Sequence, residues 1–234
     1  MDARAQRPPR SSKRTDALVR SIANTCRPSL QSELGRWLEA SPRFRAFVET
    51  HEAKIRRKLT SANGEPGRLD VRAELLVAHL LLADRRFDVV FEAYGTGRLG
   101  PDLSVTFRAN TRLNLEVTRL RTPDTPEADR LANIIGGKLR QLPPQATNAI
   151  VLVTEATEPL EAHVADALRT LRQHSDRNDW HGLASARAFN AHYLRLSGVV
   201  GLSQSTVHFV ANREARRALP ADAQSALLAC LVSL

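Results

Sequence analysis

Cysteine is scarce: only Cys26 and Cys230 occur among 234 residues. Neither stands at metal-ligand spacing from a partner, and the pair fits a reducing, cytoplasmic setting. No apolar run reaches about 18 residues, so no membrane span is expected. The N-terminus is charged and has no apolar stretch, so it does not read as a signal peptide. The 7 histidines form no His-x-x-His or Glu-x-x-His pattern, and no zinc site is expected from them. A Gly-x-Ser-x-Gly elbow, a Walker loop and an internal repeat are all missing.

Positive charge is plentiful. Lys and Arg number 34 against 25 Asp and Glu, a formal net charge of +9. That balance points to a polyanionic partner such as nucleic acid. The length suffices for one large domain, or one domain plus an appendage, with a sizeable core. Residues 1–14 are basic and Pro/Ser-containing and read as a disordered arm. Residues 15–67 read as a helical N-terminal segment packed on the core, divided into about three helices by Pro28 and Pro42. Its last part, Ser61 to Gly67, reads as a loop. Lys54, Arg56, Arg57 and Lys58 form a dense basic cluster on a helix. The cluster either tracks a phosphate backbone or is a solvated helix face.

Residues 68–234 read as an α/β domain. A helix over 69–83 is apolar almost all round, with Glu74 in its middle. A buried carboxylate there needs a metal, a cation or a hydrogen-bond network. Asp88 to Tyr94 reads as the first strand and carries Glu92, a spare acidic candidate. Gly95-x-Gly97-x-x-Gly100 joins strand to strand, so it reads as a turn rather than a dinucleotide loop.

The centre of the domain is the stretch from Gly100 to Thr118. Apolar residues alternate in Leu103, Val105 and Phe107 and again in Leu113, Leu115 and Val117, the pattern of a half-buried hairpin. Centred on Asn110, which tolerates the left-handed conformation of a turn, the hairpin pairs Leu103 with Val117, Val105 with Leu115 and Phe107 with Leu113. Asp102 and Glu116 are then diagonal neighbours on the other face, roughly 7–8 Å apart, and can point at one divalent cation.

Pro101-Asp102, followed after thirteen residues by Glu116-Val117-Thr118, resembles the Pro-Asp…(Asp/Glu)-x-Lys nuclease superfamily. Thr118 stands where that family usually has lysine. The resemblance implies a restriction-endonuclease-like fold, a mixed central sheet flanked by helices. It also implies Mg²⁺ or Mn²⁺ held by Asp102, Glu116 and the carbonyl of Val117, with Glu74 as a further acidic ligand.

The next helix begins at Thr125 as N-cap with Pro126 behind it and runs to about Leu142. Lys138 falls at the centre of its apolar stripe of Leu131, Ile134, Ile135 and Leu142, and Gln141 lies at the edge. Lys138 either reaches an anion, supplying the cation that Thr118 does not, or snorkels to water. Strands follow at Asn148–Thr154, Val199–Leu202 and Val207–Ala211, with a helix from Pro159 to about His174. Residues 176–190 read as a polar loop with a short helical piece, and the chain closes with a helix from Pro220.

These readings give an expected divalent-metal-dependent nuclease, acting on DNA before RNA, in which Asp102, Glu116, Lys138 and Glu74 are catalytic. Arg119 and Arg121 join the basic helix cluster as nucleic-acid contacts. The alternative is an inactive nuclease-like domain that binds nucleic acid or protein. A homodimer is open, and no membrane partner is expected.

Overall fold

The computed structural model describes residues 13–95, 100–121 and 127–232. Four helices come first: α1 (Lys13–Ala23), α2 (Pro28–Ala40), α3 (Pro42–Ser61) and α4 (Gly64–Leu82). Pro28 and Pro42 each stand at a helix start, where a missing N–H leaves no bond unmade. The Ser41 hydroxyl caps α3 by accepting from the Phe44 N–H at 3.1 Å. Two boundaries differ from expectation. α1 begins at Lys13, inside the arm expected to be disordered; residues 1–12 lie outside the described residues. α4 begins at Gly64, inside the expected 61–67 loop. Pro66 falls in its first turn, where proline starts a helix as well as it ends one, and Glu65 favours the positive end of the dipole.

The remaining elements are β1 (Phe87–Phe91), β2 (Leu103–Phe107), β3 (Thr111–Arg119), α5 (Ala128–Lys138), β4 (Thr147–Val153), α6 (Glu161–Asp176), α7 (Ala186–Tyr193), β5 (Leu196–Leu202), β6 (Val207–Ala211) and α8 (Ala221–Leu231). A 3₁₀ turn over Leu139–Gln141 extends α5. The expected cap residues Thr125 and Pro126 lie outside the described residues. The expected 176–190 loop is shorter than read, because Ser185 caps α7 by accepting from the Ala188 N–H. The first strand is shorter too. It ends at Phe91, and Glu92 sits in the following turn with φ +44.

The strands form one six-stranded mixed sheet in sequence order. β1–β2–β3 and β5–β6 pair antiparallel, whereas β3–β4 and β4–β5 pair parallel. The fold is therefore α/β. One face is covered by α1–α4 and α8 over Phe87, Phe91, Leu103, Val105 and Leu115. The other is covered by α5–α7 over Ile150, Leu152 and Val199. The N-terminal helices share their core with the sheet rather than forming a core of their own. β4 is buried along nearly its whole length, as its unbroken apolar run requires of a central parallel strand. Among the described residues, no helix is long and apolar enough to cross a membrane.

The hairpin register differs from the one expected. Leu103 pairs with Leu115, Val105 with Leu113 and Phe107 with Thr111. The cause is the turn. Arg108 (φ +49) and Ala109 (φ +63) take the left-handed positions, and Asn110 instead donates its N–H to the Phe107 carbonyl at 3.3 Å. Two successive positive φ values make the tight turn that matches strand twist. The shift is even, so every side chain keeps its face. Continued one step past Leu103, the register sets Asp102 opposite Glu116 rather than diagonal to it. Directly facing residues on one face have Cβ atoms only about 5 Å apart.

Candidate functional site

A cleft of about 720 Å³ opens at the carboxyl end of β3, between α4 and α5. Asp102, Glu116 and Glu74 converge on it, and all three are buried. Each is placed by a different element. Asp102 stands one residue before β2, where backbone pairing with β3 has not yet begun. Asp102 Oδ2 accepts the Val117 N–H at 2.9 Å, so this carboxylate occupies the ladder position that a further residue of β2 would have filled. In an extended residue the N–H and C=O point to the same side of the strand, so the Val117 carbonyl faces the Asp102 side as well. β3 carries Glu116, which is 1% exposed. α4 brings Glu74 from the opposite layer.

Two ammonium groups reach into the cleft. Lys138, at the end of α5, donates to Glu116 Oε1 at 2.7 Å. Its stem crosses the apolar stripe and its head meets an anion rather than bulk water. Lys58, from α3, stands 2.8 Å from Asp102 Oδ1, 2.8 Å from Glu74 Oε2 and 3.2 Å from Glu92 Oε1. It also lies 5.2 Å from the centroid of the Phe91 ring, so one wall around it is aromatic. Glu92 is held for this contact by its turn, in which its N–H donates to the Asp102 carbonyl at 2.8 Å.

Four of the residues expected to meet nucleic acid are engaged by partners within the protein, although Arg121 stays exposed. Lys58 is an internal cation, as described. Lys54 donates to the Phe91 and Glu92 carbonyls at 3.2 and 3.0 Å and anchors the β1 turn. Arg119 and Arg121 both pair with Asp70, at 3.2 and 2.5 Å, on the cleft wall. Only Arg56 and Arg57 of the basic helix cluster face solvent, and Arg56 pairs with Glu52 at 3.8 Å. The reason is helical geometry: Lys54 and Lys58 lie one turn apart, on the side of α3 that meets the sheet. Gln141 and Thr118 line the cleft. The Thr118 hydroxyl is buried without a hydrogen-bond partner, and so is Glu116 Oε2.

Burial, and after it the crowding of like charge, raises the proton affinity of Glu116 and Glu74. Burial and the neighbouring Asp102 charge push Glu116 up to about 8, against the pull of Lys138. Burial and Asp102 likewise raise Glu74 well above the usual carboxylate range. Burial alone would depress Lys58 and Lys138, but the surrounding carboxylates outweigh it and both are raised. A carboxyl whose folded value exceeds its unfolded one gives full support at low pH and withdraws it as pH rises through the folded value. For Glu116 that window runs from 4.5 to about 8, with each unit worth about 1.4 kcal/mol. In EDTA, denaturant midpoints of the protein should therefore fall as pH rises across this window. The Glu116→Gln variant should show a visibly flatter slope, and an equal slope in both proteins would remove Glu116 as the cause.

The donor set suits a hard divalent cation: carboxylate oxygens, a backbone carbonyl and an orphaned Glu116 Oε2. The spacing is wider than a bound ion would leave it. Among the described residues, the one group of three His, Cys, Asp or Glu side chains with ligand atoms mutually within 4.8 Å is His174, Asp179 and His181, elsewhere in the fold. In the cleft, Lys58 sits between the carboxylates. Sequence reading placed Lys58 outside the site, although it falls three helical turns after Phe47 on the apolar stripe of α3.

Compared with protein-family models, curated proteins and solved structures, the chain matches none.

Proposed function

We propose that this chain is a divalent-metal-dependent nuclease that hydrolyses phosphodiester bonds in nucleic acid, with DNA the first substrate to try. The observation that carries the proposal is the convergence of Asp102, Glu116 and Glu74 with the Lys138 ammonium, 2.7 Å from Glu116, at the end of the central sheet. The resemblance to the restriction-endonuclease-like nucleases rests on the same residues and on the strand–hairpin–helix–parallel strand order around them. Asp102, Glu116, the Val117 carbonyl and Glu74 would hold Mg²⁺ or Mn²⁺. Bound there, the ion supplies Lewis-acid polarisation of the phosphate and a more acidic bound water. Lys138 holds an ammonium at the rim of the acidic pocket, where it can donate to the phosphoryl oxygens as charge builds on them. Arg130, with Arg119 and Arg121 behind Asp70, makes that wall of the cleft cationic, the sign a phosphate backbone needs.

The test is cleavage of plasmid DNA and of single-stranded RNA with Mg²⁺ or Mn²⁺, comparing the protein with Asp102→Ala and Glu116→Ala. Cleavage should need the ion and should fall by at least about a hundredfold in both variants, since a metal's charge stabilisation is worth several kcal/mol. Equal cleavage in all three proteins would end the proposal.

One observation favours a second reading. Lys58 already places a positive charge among Glu74, Glu92 and Asp102, and Thr118 stands in the usual lysine position, as in a domain that keeps the fold and binds without cutting. Calorimetric titration with Mn²⁺ separates the two. A binding-only domain gives no heat that depends on Asp102.

A further inference from the structure

On the side of α5 away from the cleft, the end of α6 and the loop that follows it bring three ligand-type side chains together. His174 Nδ1 faces His181 Nε2 at 3.3 Å, and Asp179 Oδ2 lies 3.8 Å from the same His174 nitrogen. We propose that His174, Asp179 and His181 form a binding site for a zinc-class transition metal ion, which clips the loop after α6 against α5. Nothing in this proposal depends on the cleft being a nuclease site.

An ion bound tetrahedrally at about 2.0–2.1 Å sets neighbouring ligand atoms about 3.4 Å apart. The spacing of the two imidazole nitrogens matches this, Asp179 Oδ2 stands 3.8 Å from His174 Nδ1, and all three ligand atoms lie within 4.8 Å of one another. His174 Nε2 lies 3.3 Å from Asp129 Oδ1 on α5, a placement that favours the tautomer with its proton on Nε2 and a lone pair on Nδ1 towards His181. A carboxylate behind a histidine is the usual outer support of a metal ligand. Asp179 is fixed too, because its Oδ1 accepts the His181 N–H at 3.2 Å, which leaves Oδ2 turned to His174.

The backbone is shaped to hold these groups in place. Asn178 (φ +62) and His181 (φ +51) both take left-handed conformations, which non-glycine residues adopt only when their surroundings hold them there. The His181 ring rests on Gly136 of α5. A Cβ at Gly136 would lie 2.5 Å from His181 Cγ, so only glycine allows this approach. The mixed nitrogen and oxygen donors fit zinc and its neighbours better than Mg²⁺, which favours oxygen throughout. An ion here would brace the helix whose last residue is Lys138.

The probe is Zn²⁺ alone, titrated calorimetrically into the full chain, with Co²⁺ as a spectroscopic substitute. One ion should bind per chain at this site, and Co²⁺ should give the strong visible absorption of a low-coordinate nitrogen-ligated ion. Binding should persist in Asp102→Ala, which separates it from the cleft. At a hundredfold excess over the dissociation constant the thermal midpoint should rise by roughly 5–10 °C. His181→Gln, a partly exposed position that leaves the core intact, should weaken binding at least a hundredfold. Asp129→Asn, which alters only the outer support, should weaken it by about 10–100-fold. Gly136→Ala should weaken it by displacing the His181 ring. No Zn²⁺-dependent shift, or Zn²⁺ binding that His181→Gln leaves within tenfold of the parent, would overturn the proposal.

Discussion

Lys58→Met should lower the thermal midpoint of the metal-free protein and, if the cleft takes the proposed ion, raise its affinity for Mn²⁺. Both effects follow from one ammonium shared among Glu74, Glu92 and Asp102. Methionine fills the same volume against Phe91 but leaves the carboxylates facing one another. Removing one partner from a buried ion pair costs about 3–5 kcal/mol. Glu74 already tends to keep a proton, so the cluster can relieve part of this by protonating, and the lower end applies. At about 3 kcal/mol, a chain of this size loses roughly 6–12 °C. The gain in metal affinity comes from removing a positive charge beside the ion. Two unit charges about 4 Å apart interact with about 4 kcal/mol at an effective dielectric constant near 20, and the ion carries two. Mn²⁺ should therefore bind at least tenfold more tightly to the variant and should restore the lost midpoint, which EDTA then removes. A variant that melts like its parent and binds Mn²⁺ no better would show that Lys58 does not stand in for a cation.

The same residue shows where sequence reading stopped short. The lysine in α5 stood out because it interrupts an apolar stripe, and the structure places it on Glu116. Lys58 interrupts the stripe of α3 in the same way, three turns after Phe47, but the charges around it made the segment look like an outward basic face, turned to a phosphate backbone or to water. In that cluster only Arg56 and Arg57 face solvent. The facing of the hairpin was legible because alternation fixes parity. Its register was not, because Arg108 and Ala109 adopt left-handed φ values without being residues that advertise them. The two errors bear on one place: the true register brings Asp102 and Glu116 closer, and the buried Lys58 offsets the charge that results. The His174–Asp179–His181 group had no local signature at all. Its members meet through a loop of unusual backbone, with Asp129 arriving from another helix. The one hint was Gly136, a glycine inside a helix, which costs about 1 kcal/mol against alanine and so asks for a close neighbour.

Lys138 separates chemistry from architecture. If it serves the reaction, Lys138→Met should lower the turnover of metal-dependent cleavage by about 10²–10⁴, the range for a lost proton donor or charge-stabilising group. Mn²⁺ affinity should hold or improve at alkaline pH, where Glu116 has lost its proton, since a positive charge has gone. The decisive reading is the pH profile. Lys138 is the cation that hydrogen-bonds Glu116, whose carboxyl is already raised to about 8 by burial and by Asp102. Without the ammonium the charged carboxylate loses its support, so its proton is held to still higher pH. The acid limb of the rate profile should then shift upward, and activity should recover in part at alkaline pH. Lys138→Arg keeps the charge but offers a planar fork in place of a point donor, and should retain the parent's acid limb at reduced turnover. A merely structural lysine predicts otherwise. Its loss would lower the melting midpoint while leaving turnover and the acid limb of the folded fraction unchanged. That result would return Glu116 and Lys138 to the role of an internal ion pair.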